Sequence, residues 1–549
     1  MTILRKLSVV VVTLAMWNTA SAGNNAVDEA LATIRPEAIR ANMTFLADDA
    51  LEGRGTGTRG YAVAAKFMAA QFAALGLQPA GDAGSYFQDV PFRSMRPDQT
   101  QTTLSLVRSG KEESLTYRED FITRGDPVRP DTSVEAPVVF VGFGVTAPEQ
   151  GYDDYRGIDA KGKIVALVFG APNFESSMKA HYSSSQGKLA NAAAHGAVGI
   201  ITLDSPTMEQ VYSFSEQVRD LALPQFRWLD KQGTPNNYYP ELKGTAILSL
   251  AATARFFADS PHTADEVYAA LKTGKPISFD LPVTAKIRNV TKLDDVHSPN
   301  VVAKLEGSDP ALKAESVVYS AHLDHLGIGA PVNGDSIYNG ALDNASGSAI
   351  LIEMARAFTS MKVRPRRSIL FLAVTAEEAG LLGSDYFAHY PTVPKSAIVA
   401  DVNTDEDPMF WPLADIVAFG AEHSSIESAI HRACERMHLS QSADPAPEQV
   451  VFIRSDQYSF VKQGIPAVMP TPGGKSTNPN LNPGAIFTNW ERTRYHQPQD
   501  DMQQPGLDFE TAAQFARFAF LTGYFISQDT ERPTWNKGDF FGDHYGKRN

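Results

Sequence analysis

Cysteine is almost absent from this chain, in which Cys434 is the only one among 549 residues. A single cysteine cannot form a disulfide within the chain, so we expect the fold to depend on packing without a covalent crosslink. Cys434 lies in a stretch with helical periodicity. A free cysteine in that position is most often a small buried apolar residue.

Basic residues are also in short supply. The chain has 49 Lys and Arg residues against 63 Asp and Glu, which gives a formal net charge of -14. A nucleic-acid partner is therefore not expected, because binding one requires a basic face. The excess of acidic residues does not restrict the choice of a small substrate.

Apolar runs of the ~20 residues needed to span a bilayer are missing as well, so we expect no membrane span. The apolar stretch from Leu7 to Trp17 follows Arg5 and Lys6 and precedes a small-residue segment that ends at Ala22. This order is typical of a secretory signal peptide over residues 1–22, cleaved after Ala22. The sequence thus predicts export, and the lack of disulfides favours a bacterial periplasm or medium.

The remaining chain is long enough for several domains and is 43 % hydrophobic. Residues 23–130 begin with helical patterns, residues 131–285 are rich in short β-type runs bounded by Gly and Pro, and residues 286–549 alternate strands with helices. The alternation predicts an α/β fold, with a mixed, largely parallel sheet covered by helices on both faces. The β-rich segment would be a separate inserted domain.

Two adjacent carboxylates, Glu377 and Glu378, follow the apolar run at 368–376. Two charges at the end of a buried strand are costly unless something compensates them. The chain also carries His322, Asp324, Asp343, Asn403, Asp405 and His496, each just past a predicted strand or at a turn. Side chains at the carboxyl ends of parallel strands meet at one edge of the sheet. This inventory suits a pair of divalent cations, with one carboxylate left over to act as a base.

These motifs, in this order and spacing, resemble the zinc-dependent M28 family of metallopeptidases, specifically aminopeptidases with a protease-associated (PA) domain. The matching segments are Ala321-His322-Leu-Asp324-His325-Leu-Gly327, Asn339-Gly-Ala-Leu-Asp343-Asn-Ala-Ser346-Gly347, Thr375-Ala-Glu377-Glu378-Ala-Gly380, Asn403-Thr-Asp405 and Tyr495-His496-Gln-Pro-Gln-Asp500. The resemblance implies the family's α/β fold for the catalytic part and a PA domain for the β-rich insert.

The resemblance also implies a role for each site residue. Two Zn²⁺ ions would share Asp343, one held by His322 and Asp405 and the other by Glu378 and His496. Glu377 would be the general base that activates a water between the ions. Asp324 would accept the free N–H of His322, and Tyr495 could donate its hydroxyl to the developing oxyanion. His325 receives no metal in this scheme and is interpreted as structural.

The chain departs from the family pattern in two places. Gln457 stands where the family often has a histidine, and Glu406 follows Asp405 where many members have a methionine. Glu406 could bind a substrate ammonium or lie in a solvated loop. The Pro/Asn/Gly-rich stretch at 471–490 is interpreted as a loop that borders the site.

Three functions compete. The leading hypothesis is an exported dizinc aminopeptidase acting on peptides. A carboxypeptidase or dipeptidase of the same fold is the alternative, since Arg454, Arg492 and Arg494 could bind a terminal carboxylate. A binding protein that has lost its metals is disfavoured, because all five ligands and the base are present. The preferred side chain, the native metal and the oligomeric state do not follow from the sequence.

Overall fold

The computed structural model describes residues 25–546. The predicted signal peptide lies outside these residues. Within the described part of the chain, no helix combines the length and the apolar character that a membrane crossing requires.

The first of two large sheets has nine strands. Its four central strands run parallel to one another, whereas the strands at its two ends include antiparallel pairs. In spatial order the strands are Gln78–Pro79, Asn300–Leu305, Ser368–Val374, Ser316–His322, Ile398–Asn403, Ala467–Pro472, Asp415–Phe419 and Ser440–Ser442, with Phe87–Gln88 also paired to Asn300–Leu305.

Helices cover both faces of this sheet because its central strands are apolar on both sides. Ser316–His322 and Ser368–Val374 are buried at every position. One face packs against Pro36–Leu46, Arg59–Ala74, Gly347–Ser360, Glu427–Met437 and Phe509–Gln528. The other packs against Leu382–His389, Gln457–Val461 and Phe540–Tyr545. The predicted mixed α/β architecture is confirmed.

The second large sheet has ten strands, all of them between residues 91 and 297. Its spatial order is Gln225–Trp228, Pro91–Pro97, Ser278–His297, Asp131–Val141, Ile164–Val168, Gly199–Leu203, Thr245–Leu248 and Phe121–Ile122, with Thr103–Arg108 and Lys111–Leu115 attached through Ser278–His297. Its helices are Ser176–Ser183, Ser185–Ala194, Met208–Val211, Phe214–Asp220, Leu250–Phe256 and Ala264–Leu271.

The ten-stranded sheet includes strands from outside the range 131–285 that the sequence suggested for the inserted domain. The strand Ser278–His297 is 20 residues long and pairs with Pro91–Pro97, Thr103–Arg108 and Asp131–Val141. Strands on both sides of residue 131 therefore share one sheet. The long strand joins them through pairings that are remote in sequence, which a local pattern does not reveal.

Two small elements border the edge where the central strands end. One is a hairpin of Gly327–Val332 and Asp335–Tyr338. The other is the helix Pro483–Thr493, which takes up the last eight residues of the stretch 471–490 that we expected to be a loop. The helix begins there because Asn482 accepts a hydrogen bond from the backbone N–H of Ala485 at 3.1 Å and proline follows at the first helical position.

Candidate metal centre

Three parallel strands end at one edge of the first sheet, and each brings acidic or histidine side chains to it. His322 is the last residue of Ser316–His322, and Asp405 comes two residues after the strand Ile398–Asn403. Glu377 and Glu378 follow the third strand. These four side chains therefore lie at the carboxyl edge of the sheet, where we expected them from the sequence.

A tight turn sets the two glutamates at the end of their strand. Ala376 and Leu381 have φ values of 55° and 60°, so the backbone reverses around them. The backbone N–H groups of Gly380 and Leu381 both donate to the carbonyl of Glu377, at 2.7 and 2.8 Å. The helix that follows the turn consequently begins at Leu382.

The first cluster of ligand atoms surrounds His322. Its Nε2 lies 2.9 Å from Oδ1 of Asp405 and 3.2 Å from Oδ1 of Asp343. The three side chains are almost completely buried. One imidazole and two carboxylates are a donor set that suits a divalent zinc ion.

The second cluster surrounds His496. Its Nε2 lies 3.1 Å from Oε2 of Glu378 and 3.3 Å from Oδ2 of Asp343. His496 is about one-quarter exposed at its side chain, so this cluster opens toward solvent more than the first. The two clusters share Asp343, which offers a different oxygen to each.

The distances within both clusters fit ions bound between the atoms. Two atoms that each lie ~2.0–2.1 Å from one zinc ion are about 2.9 Å apart at a right angle and about 3.3 Å apart at a tetrahedral angle. All four distances above fall in that range. Asp343, Asp405, Glu377 and Glu378 also concentrate negative charge at a buried site, which bound cations would compensate.

Neighbouring groups hold the ligands in place. The backbone N–H groups of Leu342 and Asp343 donate to the carboxylate of Asp500, at 2.9 and 3.0 Å. The hydroxyl of Ser455 donates to Oδ2 of Asp405, leaving Oδ1 for the cluster. Hydrogen bonds of this kind fix the orientation of metal ligands.

Asp324 lies beside His322 and contacts it through the main chain. Nδ1 of His322 is 3.1 Å from the backbone oxygen of Asp324 and 4.0 Å from its carboxylate oxygen Oδ1. That carboxylate instead accepts the backbone N–H of Glu377 and the hydroxyl of Thr56, each at 3.1 Å. Asp324 therefore links the histidine to the turn that carries the glutamates.

Glu377 is adjacent to the clusters and electrostatically coupled to both. Burial raises the pKa of its carboxyl well above the ordinary value, while the charge of His322 opposes this rise. The charges of Asp405 and Glu378 raise the pKa of Glu377 further. Cations bound beside it would favour its ionised form, which is the form that can accept a proton.

The ring of Tyr495 stacks on that of His496 and so lies against the second cluster. Its ring centroid is 3.9 Å from that of His496, with an interplanar angle of 25°. Burial and the negative charge of Glu406 raise the pKa of its hydroxyl well above the ordinary value. The hydroxyl thus stays protonated, as a hydrogen-bond donor must.

His325 is a site residue whose position the sequence did not indicate. The side chain is buried, and its Nδ1 lies 2.6 Å from Oε1 of Glu378 and 3.8 Å from Oδ2 of Asp343. His325, Asp343 and Glu378 form a group of ligand-type atoms of their own. The histidine interpreted as structural therefore lies in contact with the second cluster.

Arg54 also supports the site from a distance along the chain. It comes from the glycine-rich loop after the first helices and is completely buried. Its guanidinium donates to the carbonyls of Leu323, Asn339 and Gly340, at 2.9, 2.6 and 2.9 Å, and to that of Leu46. One buried side chain thereby joins the segments that carry His325 and Asp343.

Comparison with known proteins agrees with this geometry. Residues 300–521 match the model of peptidase family M28. The resemblance to family M28 is therefore confirmed over that segment, which contains every residue of the two clusters. The fold is similar to that of an aminopeptidase from Aneurinibacillus sp. strain AM-1, with a TM-score of 0.53 at 19 % identity over 91 % of this chain and 95 % of that one.

Sequence relatives carry names from two kinds of exopeptidase. Aminopeptidase Y of Saccharomyces cerevisiae is 24 % identical over 261 residues, which cover 45 % of this chain and 43 % of the relative. A probable glutamate carboxypeptidase of Arthroderma benhamiae is 26 % identical over 261 residues, covering 45 % of this chain and 33 % of the relative. The chain thus spans less than half the length of these relatives.

Proposed function

We propose that this protein is a dizinc aminopeptidase that removes N-terminal residues from peptides. The observation that carries the proposal is the position of Asp343. Its two carboxylate oxygens lie 3.2 and 3.3 Å from the Nε2 atoms of two different histidines, His322 and His496. A carboxylate shared in this way is suited to bridging two cations.

We assign the ligands from the donor set. His322 and Asp405 would hold one zinc ion, Glu378 and His496 would hold the other, and Asp343 would be shared between them. Ions held there would polarise a substrate carbonyl and lower the pKa of a water toward neutrality. Three protein ligands for each ion leave positions for water and substrate.

The surrounding side chains then perform the proton transfers. Glu377 accepts the proton of the attacking water and passes it to the nitrogen of the departing amine. Tyr495 donates its hydroxyl to the carbonyl oxygen as negative charge develops on it. Asp324 keeps Glu377 in place through the backbone N–H that it accepts.

An acidic group beside the clusters favours a substrate with a free amino terminus. Glu406 is half-buried, and burial raises the pKa of its carboxyl. The charges of Asp343 and Asp405 raise the pKa of Glu406 further. A substrate ammonium is a suitable counter-charge for such a group.

A carboxypeptidase or dipeptidase is the second candidate, and Arg454 is the observation that favours it. Burial lowers the pKa of Arg454, but the neighbouring charges of Tyr495, Glu406 and Glu377 raise it above the ordinary value. A guanidinium at that place could bind the terminal carboxylate of a peptide. The relative named as a carboxypeptidase agrees with this alternative.

The other expectations from the sequence complete the proposal. The inserted unit with the ten-stranded sheet would be the PA domain, and residues 1–22 would direct export before their removal. The substrate is a peptide, and the enzyme acts in the periplasm or the medium.

A peptide pool tests the function and its direction together. Each peptide is present with a free and with an acetylated amino terminus, and the products are followed by mass spectrometry with and without a chelator. We expect stepwise loss from free amino termini only, abolished by the chelator. Loss from carboxyl termini, or equal attack on acetylated peptides, would contradict the aminopeptidase and favour the second candidate.

A further inference from the structure

Three polar side chains outside the metal centre form a line of hydrogen bonds. Oγ of Ser177 lies 3.1 Å from Nε2 of His423, and Nδ1 of the same ring lies 2.6 Å from Oδ2 of Asp539. Because a carboxylate only accepts hydrogen bonds, Nδ1 carries the proton of the neutral ring, and Nε2 is left to accept the hydroxyl proton of Ser177. A nucleophile, a base within hydrogen-bond reach and a third group that orients the base are the parts of a catalytic triad.

The ring of His423 is held in place by its neighbours. It packs against the rings of Phe452 and Phe541, each with its centroid 5.0 Å away. Asp539 is itself fixed, because its Oδ1 accepts the backbone N–H of Gly542 at 3.0 Å while Oδ2 faces the imidazole. Burial lowers the pKa of His423, but the hydrogen bond with Asp539 and nearby negative charges raise it above the ordinary value. The imidazole is thus a stronger base than an isolated one.

Ser177 stands at the start of a helix, where backbone N–H groups can stabilise a developing oxyanion. It is the second residue of Ser176–Ser183, and its own N–H donates to Oε1 of Glu175 at 3.3 Å. The first N–H groups of a helix have no carbonyl partner within that helix, and the N–H of Met178 is one of them. A backbone N–H directly after the nucleophile is a usual oxyanion donor.

The triad borders a cavity of about 480 Å³, a size that suits a small ligand. Both Ser177 and His423 line it, and Val417, Phe419 and Phe452 contribute apolar surface. None of the five proposed zinc ligands is among the described residues that line this cavity. A molecule bound there would therefore meet the serine hydroxyl and not the metal centre.

The other groups that line the cavity favour a positively charged hydrogen-bond donor. Three of them are carboxylates, from Glu422, Glu427 and Asp444. In addition, Oε1 of Gln441 and Oγ of Ser442 are buried without a hydrogen-bond partner in the part of the chain that the structure describes. Buried polar atoms are seldom left unpaired, so these two suit a donor on a ligand. An ammonium group offers both the charge and the N–H groups.

We propose that Ser177, His423 and Asp539 form a second catalytic site, which hydrolyses small carboxylic esters that carry an ammonium group. Oγ of Ser177 attacks the ester carbonyl while Nε2 of His423 takes the hydroxyl proton. The bond from the carbonyl carbon to the alcohol oxygen then breaks, and the imidazolium gives its proton to the departing alkoxide. A water repeats the sequence on the acyl-serine, which releases the acid and restores the hydroxyl. Asp539 orients the ring throughout, and no metal takes part.

A fluorophosphonate probe tests the nucleophile directly, because it phosphonylates an activated serine with loss of fluoride. The full chain is labelled in the presence of a chelator, and the adduct is located by peptide mass spectrometry. We expect the adduct on Ser177, in wild type and equally in Glu377→Gln. Labelling should vanish in Ser177→Ala and slow by about 10²–10⁴-fold in His423→Gln, which lacks the base. Ser176→Ala is the matched control, since Ser176 lines the same cavity, and a melting curve verifies that each variant is folded.

Three ethyl esters of six-carbon acids test the substrate class. They are ethyl 6-aminohexanoate, ethyl hexanoate and monoethyl adipate, which are cationic, neutral and anionic at neutral pH. With the chelator present, kcat/KM should fall in that order, by about tenfold from the first to the last, because the carboxylates of the cavity attract the ammonium and repel the anion. Hydrolysis of all three should be lost in Ser177→Ala.

Several results would overturn the proposal. They are the absence of an adduct on Ser177 in folded wild type, labelling of His423→Gln at the wild-type rate, and ester hydrolysis that is absent from wild type or persists in Ser177→Ala. A preference for the anionic ester would contradict the substrate class. A protein that cleaves the cationic ester through Ser177 but cleaves no peptide would contradict the proposed peptidase function and leave this second site standing.

Discussion

Glu377 and Glu378 are neighbours in sequence but have different partners. The carboxylate of Glu378 lies 2.6 Å from His325 and 3.1 Å from His496, so it belongs to the second cluster. Glu377 is tied through its backbone N–H to Asp324, at 3.1 Å, and its carboxylate is in neither cluster. The proposed function accordingly assigns metal binding to Glu378 and the role of the base to Glu377.

The exchange Glu377→Gln tests this division of roles. It removes the proton acceptor and preserves the shape of the side chain, so kcat should fall by about 10²–10⁴-fold. Bound zinc, measured by elemental mass spectrometry, should remain as in wild type. The matched variant Glu378→Gln should lose zinc as well as activity. Loss of zinc from Glu377→Gln, or full activity in it, would contradict the assignment.

Residue positions were predictable from the sequence where they depended on strand ends. His322, Glu377, Glu378 and Asp405 come together because parallel strands end at one edge. His325 was not predictable, because its contact with Glu378 depends on the space that Gly340 leaves for the ring. Its one sequence signal was the position three residues after a ligand.

At the scale of elements, the helix Leu382–His389 rests directly on the strand end that carries the glutamates. A Cβ on Gly383 would lie 2.0 Å from the carbonyl oxygen of Thr375 and 2.7 Å from Oδ1 of Asn300. Asn300 already joins the two, donating to the carbonyl of Gly383 and accepting the N–H of Thr375, at 2.9 and 3.0 Å. The position of the helix therefore sets the position of the turn.

Gly383→Ala should separate the helix from the strand end. We expect a loss of about 1–3 kcal/mol in the free energy of unfolding, measured in urea, because the added methyl group meets main-chain atoms that cannot move aside. Zinc affinity should fall with it, since the turn would shift. Gly474→Ala is the control, as nothing lies within 4 Å of its added Cβ. Equal stability of the two variants would contradict this account.

The elements that the sequence predicted best were the buried strands and the amphipathic helices around them. Ser316–His322 and Ser368–Val374 are apolar runs of the length expected for strands covered on both faces. The helix Pro483–Thr493 was missed because its composition suggested a loop, although Asn482 and Pro483 form a recognisable start. The extent of the second sheet was missed because it depends on long-range pairing.

At the scale of the whole molecule, His181 joins the helix Ser176–Ser183 to the helices Gln457–Val461 and Phe540–Tyr545. Nδ1 of this residue lies 3.2 Å from the hydroxyl of Tyr458 and 3.1 Å from that of Tyr545. Its ring is 4.8 Å from that of His544. Burial lowers the pKa of His181 to about 4, and the charge of His544 adds to the effect. The folded protein therefore keeps His181 neutral at pH values where the unfolded chain protonates it.

The sign of the pH dependence follows from this difference. Between about pH 6.5 and 4 the unfolded chain binds the extra proton, so the free energy of unfolding falls as the pH is lowered. If His181 were protonated only in the unfolded chain over this whole range, the free energy of unfolding would fall by at most about 3 kcal/mol. We expect the melting temperature of wild type to fall more steeply over this range than that of His181→Asn, which cannot titrate.

The difference between the two proteins is the informative quantity, because other groups titrate in both. If the melting temperatures of the two proteins changed by the same amount over this pH range, His181 would not make the stability depend on pH. A steeper fall in His181→Asn than in wild type would contradict the sign.

The central claim is that Asp343 bridges two zinc ions, and anomalous diffraction at the zinc edge tests it most directly. Crystals grown with zinc should show two anomalous peaks about 3.5–4 Å apart, the usual spacing in two-metal sites. One peak should lie between His322 and Asp405 and the other between Glu378 and His496, with Asp343 in contact with both. A single peak, or two peaks that do not share Asp343, would contradict the account.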